Sequence, residues 1–208
     1  LRQLAVGVNI YALDNNDRVL QARWAADRFV QNCLNPPEAS AAAQVGLAVK
    51  PNAASVWTCP NRPGLPILEP EFPQWVIGYQ YFGGLTNWYN SYGLYESHSP
   101  VKLAQARSSW TLAADATGKI NGKWGGLESG REFVYANMPQ HRNSNSKVPA
   151  GGNQVFTDGS GQWFRAGRMH RLTTWNTSPG VREYYFYQDS ADFSDRLRNV
   201  LPNLAFKP

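Results

Sequence analysis

The chain has 208 residues, of which 42% are hydrophobic and 17% are charged. A chain of this length buries about 70% of its unfolded surface, so its apolar content excludes intrinsic disorder, and neither a metal nor a disulfide is required for folding. The net charge of +5 resides in residues 142–182, where six basic side chains accompany Asp158 alone; no nucleic-acid-binding motif is present, so no nucleic-acid partner is expected.

The first predicted element is a helix over residues 1–12. Its apolar and small side chains recur at helical spacing, at Leu1, Leu4, Ala5, Val8 and Ala12. The polar run at 14–17 ends this helix, and its apolar stripe is expected to pack on a sheet. Because no N-cap residue precedes Leu1, the segment has the pattern expected at the end of a longer helix.

Three further helices are predicted. Residues 22–34 show helical spacing at Ala25, Phe29, Val30 and Cys33. Residues 36–48 are rich in alanine, and the prolines and the acidic residue at their start suit a first helical turn. A short helix is predicted in the tail near 194–199, before Pro202.

After Pro51 the pattern changes to short segments rich in aromatic and β-branched residues. These predict strands at 54–59, 74–82, 108–115, 153–157, 161–166 and 182–188. Asp158-Gly159 between two of these segments is a strong hairpin signal. Helices come first and strands follow without β-α-β alternation, which predicts an α+β fold with an antiparallel sheet.

Nine aromatic residues are concentrated in residues 71–98. Exposed rings at Trp75, Trp88, Tyr89 and Tyr92 would form a platform that stacks on sugars, and this defines a carbohydrate- or surface-polymer-binding module as an alternative function. Packing in the core of an α+β domain explains the same composition and is the favoured interpretation.

His141 and Asp158 could serve as the base and the orienting carboxylate of a hydrolase, the less favoured function. No G-x-S-x-G elbow supplies a nucleophile. Ser160 lies near Asp158 in the sequence, but no motif around it identifies it as the nucleophile. Asp115, His141 and Asp158 could instead share a cation, and a structural hydrogen-bond network is favoured over both ideas. The run at 14–17 lacks the spacing of a calcium loop, so no cofactor is predicted.

The two cysteines, Cys33 and Cys59, fit one disulfide in an oxidising compartment. They fit two buried free thiols equally well. With only a distant histidine to join them, they are too few to predict a metal site.

Several short motifs occur in an order that resembles one bacterial family. Residues 1–20, LRQLAVGVNIYALDNNDRVL, resemble the stretch after the membrane helix of prepilin-like, or pseudopilin-like, proteins with an N-terminal cleavage and methylation signal. Residues 57–60 are similar to that family's W-x-C-P segment. Residues 99–103 and 110–115 are similar to other segments of the same family. His141 followed by Asp158-Gly159 is similar to its closing His–spacer–Asp-Gly signature, but the spacer of sixteen residues is longer than usual.

This resemblance implies a pilin-like fold, in which an N-terminal helix packs on an antiparallel β-sheet with additional short helices and long loops. It implies a single soluble head domain over residues 1–208. The parts of this domain would be the end of the N-terminal helix (1–20), a helical insertion (21–50), the sheet region (51–190) and the tail (191–208).

The resemblance also implies a non-catalytic structural subunit of a type II secretion or type IV pilus-like assembly. Its partners would be other pilin-like subunits and the secretion machinery. A helix before Leu1 would anchor it in the inner membrane, with the head in the periplasm or on an extracellular filament. This oxidising location favours pairing of Cys33 with Cys59. The signature residues His141, Asp158 and Gly159, together with Asp115, would have a structural or cation-binding role.

Overall fold

The computed structural model describes residues 1–51, 53, 55–178 and 180–208. The α-helices of this part are α1 (Arg2–Asp14), α2 (Pro36–Gln44), α3 (Glu132–Tyr135) and α4 (Asp195–Leu204). The strands are β1 (Arg23–Ala25), β2 (Arg28–Val30), β3 (Cys33–Leu34), β4 (Ile67–Glu69), β5 (Gln74–Val76), β6 (Tyr79–Tyr81), β7 (Asn87–Asn90), β8 (Gly93–Glu96), β9 (Thr111–Asp115), β10 (Thr117–Ile120), β11 (Lys123–Trp124), β12 (Gly151–Phe156), β13 (Gly161–Arg165) and β14 (Arg182–Tyr185). The strand pairs among the described residues are antiparallel, which confirms the predicted α+β class at this level.

The central sheet has the strand order β13–β12–β9–β6. All five residues of β9 are buried, so both faces of this strand are covered. The β12–β13 hairpin turns at Asp158-Gly159, as the sequence predicts, and Gly159 has the positive φ of 81° that such a turn favours. Around this sheet lie β3–β5–β4, β11–β10–β14 and the hairpins β1–β2 and β7–β8.

The helix α1 packs against β12 and α2 through one side. Leu4, Ala5, Val8 and Ala12 on that side are fully buried, and Leu1 packs against the same hydrophobic cluster. The cluster also contains side chains of β9 and β12, so the helix covers the central sheet. Gly7 allows α1 to lie close to Leu47, which follows α2, because a Cβ at position 7 would lie 2.5 Å from Cγ of Leu47.

The predicted helix over 22–34 is wrong, and the helical insertion predicted at 21–50 contains three strands and the single helix α2 in the structure. Ala26 and Asp27 both adopt positive φ, of 47° and 61°, and join Ala25 to its partner Arg28 in a two-residue hairpin turn. Cys33 then pairs with Val76 of β5. These pairings with distant residues outweigh the local helical spacing.

The predicted strand over 54–59 is also wrong, since residues 55–59 consist of a turn, a bend and irregular backbone; Ala54 lies outside the described residues. The predicted strand over 74–82 divides into β5 and β6, which belong to different sheets. The chain changes sheets at Gly78, where a Cβ would lie 2.8 Å from the Cα of Thr58. A backbone contact this close requires glycine at the position where the chain leaves one sheet for the next.

The predicted tail helix is present as α4, and the Ser194 side chain caps its first turn by accepting from the amide of Leu197. The sequence predicted that this helix ends before Pro202. In the structure it continues through the proline to Leu204. Leu197 and Leu204 are buried in the main hydrophobic cluster, which compensates for the hydrogen bond that Pro202 cannot donate. None of the helices in the described part of the chain combines the length and the apolarity that a bilayer crossing requires.

We expect Leu4→Ala to lower the free energy of unfolding by about 2–5 kcal/mol, because it leaves a cavity between α1 and the central sheet. Leu13→Ala in the same helix is the matched control, since Leu13 is 81% exposed, and should change stability by no more than about 0.5 kcal/mol. Urea denaturation followed by circular dichroism measures both. Equal effects of the two variants would contradict the packing of α1 on the sheet.

Candidate functional site

A surface cavity of about 500 Å³ lies where the start of α1 meets the end of β9 and the middle of the β12–β13 hairpin. Its lining includes Leu1, Cys59, Tyr79, Asp115, His141 and Trp163. Cys59, Asp115 and His141 direct their side-chain donor atoms to one point at its wall, and these atoms all lie within 4.8 Å of one another. The fold thus brings together residues that are far apart in the sequence, since Asp115 is 56 positions after Cys59 and 26 positions before His141.

His141 is at the centre of this cluster. Its Nε2 lies 3.1 Å from Oδ2 of Asp115 and 3.7 Å from Sγ of Cys59. The Asp115 side chain is only 2% exposed, whereas that of His141 is 23% exposed and faces the cavity. The three residues therefore form a partly buried polar cluster with one open side.

Asp115 is held at the end of β9 by Asn153 of the neighbouring strand β12. The Asn153 main-chain amide donates to Oδ2 of Asp115 at 2.6 Å, and its side-chain Nδ2 donates to the same oxygen at 3.0 Å. The adjacent Gly152 leaves room for the carboxylate, because a Cβ there would lie 3.1 Å from the Cβ of Asp115. The carboxylate is thus positioned independently of His141.

Cys59 is held by a turn that the buried Arg62 fastens to the rest of the protein. The Arg62 amide donates to the Cys59 carbonyl at 2.8 Å. Arg62 is 2% exposed, and its guanidinium donates to the backbone carbonyls of Val134, Gly78 and Ala136 at 2.5, 3.2 and 3.4 Å. Because a buried guanidinium is costly without partners, these bonds fix the turn that carries the thiol.

His141 is held by its own main chain and by Trp163 of β13. Its carbonyl accepts from the amide of Ala150 at 3.0 Å, which closes the loop 142–149 at its base. The ring of Trp163 contacts the imidazole edge to face, with centroids 5.1 Å apart. These contacts direct Nε2 toward Asp115 and leave part of the ring toward the cavity.

The charges of the cluster favour different protonation states for its members. The hydrogen bond with Asp115 raises the pKa of His141. Burial raises the pKa of the Cys59 thiol, so this side chain is protonated at neutral pH. Asp115 and Cys59 share the same nitrogen of His141, whereas a catalytic triad uses one imidazole nitrogen for the carboxylate and the other for the nucleophile. Three atoms that can act as metal ligands therefore converge on one point of the cavity wall.

The predicted pairing of His141 with Asp158 is not formed. Asp158 lies in the turn of the β12–β13 hairpin, where Oδ1 accepts from the amide of Ser160 at 2.8 Å. It is not part of the cluster around His141. Of the three residues that the sequence suggested as alternatives for a shared cation, the structure brings Asp115 and His141 together, and Cys59 lies where Asp158 was expected. No local pattern indicated that Cys59 would reach His141, because the two are distant in sequence and a turn brings them together.

The predicted disulfide is not formed either, since Cys33 and Cys59 are both free and buried. Cys33 pairs in β3 and belongs to a second hydrophobic cluster with Val30 and Val76. Burial raises the pKa of its thiol strongly. The two thiols thus have separate environments, one within the core and one at the wall of the cavity.

The four-ring stacking platform is not formed. Trp88 is fully buried in the main hydrophobic cluster, and its indole donates to Oγ of Ser99 at 3.0 Å. Tyr89 is partly buried beneath the guanidinium of Arg28, at 4.1 Å from the ring centroid. Trp75 is also partly buried, and Tyr92 is 45% exposed. Core packing, the favoured interpretation, accounts for Trp88.

The basic stretch at 142–182 is partly neutralised by acidic residues outside it. Arg171 pairs with Glu183. Arg182 lies 2.5 Å from Glu128 and donates to the hydroxyl of Tyr135 at 2.8 Å. Contacts with Glu183 and Glu128 therefore reduce the local excess of positive charge that the sequence indicates.

No family model, curated protein or solved structure matches this chain.

Because Cys59 lines the cavity and Cys33 lies within the core, we expect iodoacetamide to modify Cys59 first in the native, chelator-treated protein. Peptide mass spectrometry identifies the labelled residue. In denaturant without reductant both cysteines should react. Recovery of a Cys33–Cys59 disulfide-linked peptide, or labelling of Cys33 ahead of Cys59, would contradict the separate environments of the two thiols.

Proposed function

We propose that this chain is the soluble head of a pilin-like subunit of the cell envelope, a structural protein without catalytic activity. The observation that carries the proposal is the packing of α1. One side of this helix covers an antiparallel sheet through Leu4, Ala5 and Val8, as the pilin-like architecture requires. The motifs at 1–20 and 57–60 and the His–spacer–Asp-Gly order add the resemblance to the prepilin-like family.

The longer His–spacer–Asp-Gly segment is a departure from the family's pattern that the structure makes compatible with this proposal. The additional length is accommodated by the loop 142–149. This loop is closed by the bond between Ala150 and His141, and within it the amide of Asn143 donates to the carbonyl of Val148 at 3.0 Å. Residue 150 therefore follows His141 directly in space, and β12 then leads to Asp158-Gly159 at the hairpin turn. This geometry is that of a His–spacer–Asp-Gly signature into which the loop 142–149 is inserted.

A second apolar side of α1 supports assembly with a neighbouring subunit. Val6, Ile10 and Leu13 lie on that side at spacings of four and three residues, and they are 57%, 46% and 81% exposed. A run of exposed apolar side chains on one helix is typical of a surface that a partner covers. In this proposal the partner is the equivalent helix region of a second copy, because pilin-like subunits associate through their N-terminal helices.

In this proposal a hydrophobic helix encoded before Leu1 continues α1 into the inner membrane. The head then lies in the periplasm or on an extracellular filament. Other pilin-like subunits and the secretion machinery are its partners.

The proposal predicts a basic start, a prepilin cleavage motif and about 20 apolar residues immediately before Leu1 in the gene. We expect deletion of the prepilin peptidase to leave a longer precursor in the membrane fraction, detected by immunoblotting and N-terminal sequencing. A cleavable secretory signal in that position, with maturation independent of the peptidase, would contradict the proposal.

We expect Ile10→Asp to reduce cross-linked multimers of the full-length protein in the envelope at least about tenfold, since about 1.4 kcal/mol at each subunit contact produces a change of that size. Leu127→Asp is the matched control, because Leu127 is 48% exposed but lies outside α1. Both heads should keep the wild-type Tm. Equal multimer yields from the two variants would contradict the role of this side of α1.

A further inference from the structure

We infer that Cys59, Asp115 and His141 bind a divalent transition-metal ion of the zinc class. This site does not depend on the proposed function, because it lies at the cavity and not on the exposed side of α1. The three candidate ligand atoms are Sγ of Cys59, Oδ2 of Asp115 and Nε2 of His141, and they come from three separate segments of the chain.

Two of the three distances between these atoms are close to those of a tetrahedral zinc centre. Bonds of about 2.0–2.3 Å at tetrahedral angles place a nitrogen and an oxygen ligand about 3.3 Å apart, and a sulfur and a nitrogen ligand about 3.6 Å apart. The structure has 3.1 Å between Nε2 of His141 and Oδ2 of Asp115. It has 3.7 Å between the same nitrogen and Sγ of Cys59. The third pair, Sγ of Cys59 and a carboxylate oxygen of Asp115, lies within 4.8 Å, so the thiol and the carboxylate need to approach each other by at most about 1.2 Å to reach the tetrahedral spacing of about 3.6 Å.

The donor set selects the class of metal. Calcium and magnesium are bound by oxygen atoms, and here oxygen supplies one ligand of three. A thiolate and an imidazole beside a carboxylate suit zinc and similar late transition metals. The ion replaces the thiol proton of Cys59, which passes to solvent, and the imidazole binds through unprotonated Nε2 with its remaining proton on Nδ1.

The surroundings of the cluster provide the second layer that metal sites require. Asn153 donates two hydrogen bonds to the Asp115 carboxylate, and Trp163 orients the His141 ring. The buried Arg62 fixes the turn of Cys59 through backbone carbonyls. The carboxylate and the turn of the thiol are therefore held by hydrogen bonds, and the imidazole is held by an aromatic neighbour.

The open side of the cluster defines the fourth coordination position. Three protein ligands leave one tetrahedral position free, and the adjacent cavity of about 500 Å³ opens onto it. A water molecule or a small anionic ligand from solution would occupy that position. This arrangement differs from a closed structural site, in which four side chains surround the ion.

Titration of the reduced, chelator-treated protein with Co²⁺ tests the inference. We expect a thiolate-to-cobalt charge-transfer band in the near ultraviolet and visible bands of a tetrahedral centre, both of which added Zn²⁺ abolishes. Cys59→Ser should lose the charge-transfer band. Cys33→Ser is the matched control, since it removes the other buried cysteine, and it should keep the band.

Two further measurements keep the test decisive if Cys59→Ser does not fold. Zn²⁺ should raise the Tm of the wild-type protein, and Asn153→Ala should weaken Co²⁺ binding by about 10–100-fold while the charge-transfer band persists at saturation. Folded wild-type protein without a charge-transfer band would overturn the inference. A band lost in Cys33→Ser and kept in Cys59→Ser would overturn it equally.

Discussion

The burial of β9 on both faces is the constraint on which the rest of the structure depends. A strand without an exposed residue must be covered twice, and here α1 covers one face through Leu4 and Val8. On the other face, Gln80 and Gln154 donate to the carbonyls of Tyr185 and Tyr187 at 2.9 Å, which holds the end of β14 and the residues after it across the sheet. Segments distant in sequence thus cover both faces of β9. The same strand carries the Asp115 carboxylate at its C-terminal end.

That carboxylate links the fold to the candidate site. A buried Asp115 needs partners, and Asn153 and His141 supply them from the neighbouring strand and from the base of a loop. The thiol reaches the same point because Arg62 fastens its turn to backbone carbonyls of two other segments. Polar groups buried for different local reasons thereby meet at one wall of the cavity, where an ion can satisfy all three.

The two proposals concern separate surfaces of one molecule. Assembly concerns the exposed side of α1, where Val6, Ile10 and Leu13 offer apolar area and where Arg2 and Asp158 lie beside Val6 and Ile10. Ion binding concerns the polar cluster where the buried side of α1 meets the central sheet, beside Leu1. A bound ion would connect the Cys59 turn, β9 and the base of the 142–149 loop, so it would stabilise the head independently of any neighbouring subunit.

The sequence by itself determined the elements whose signals are local. Spacing of apolar residues predicted α1 and its buried side, the two prolines predicted the start of α2, and Asp158-Gly159 predicted the β12–β13 hairpin. Only the tertiary structure decided that residues 22–34 form strands, that Trp88 is buried and that His141 meets Asp115 and Cys59 instead of Asp158. The physical reason is that strand pairing, burial and ligand convergence are contacts between residues far apart in the chain, and they outweigh local preferences that are worth less than about 1 kcal/mol per residue.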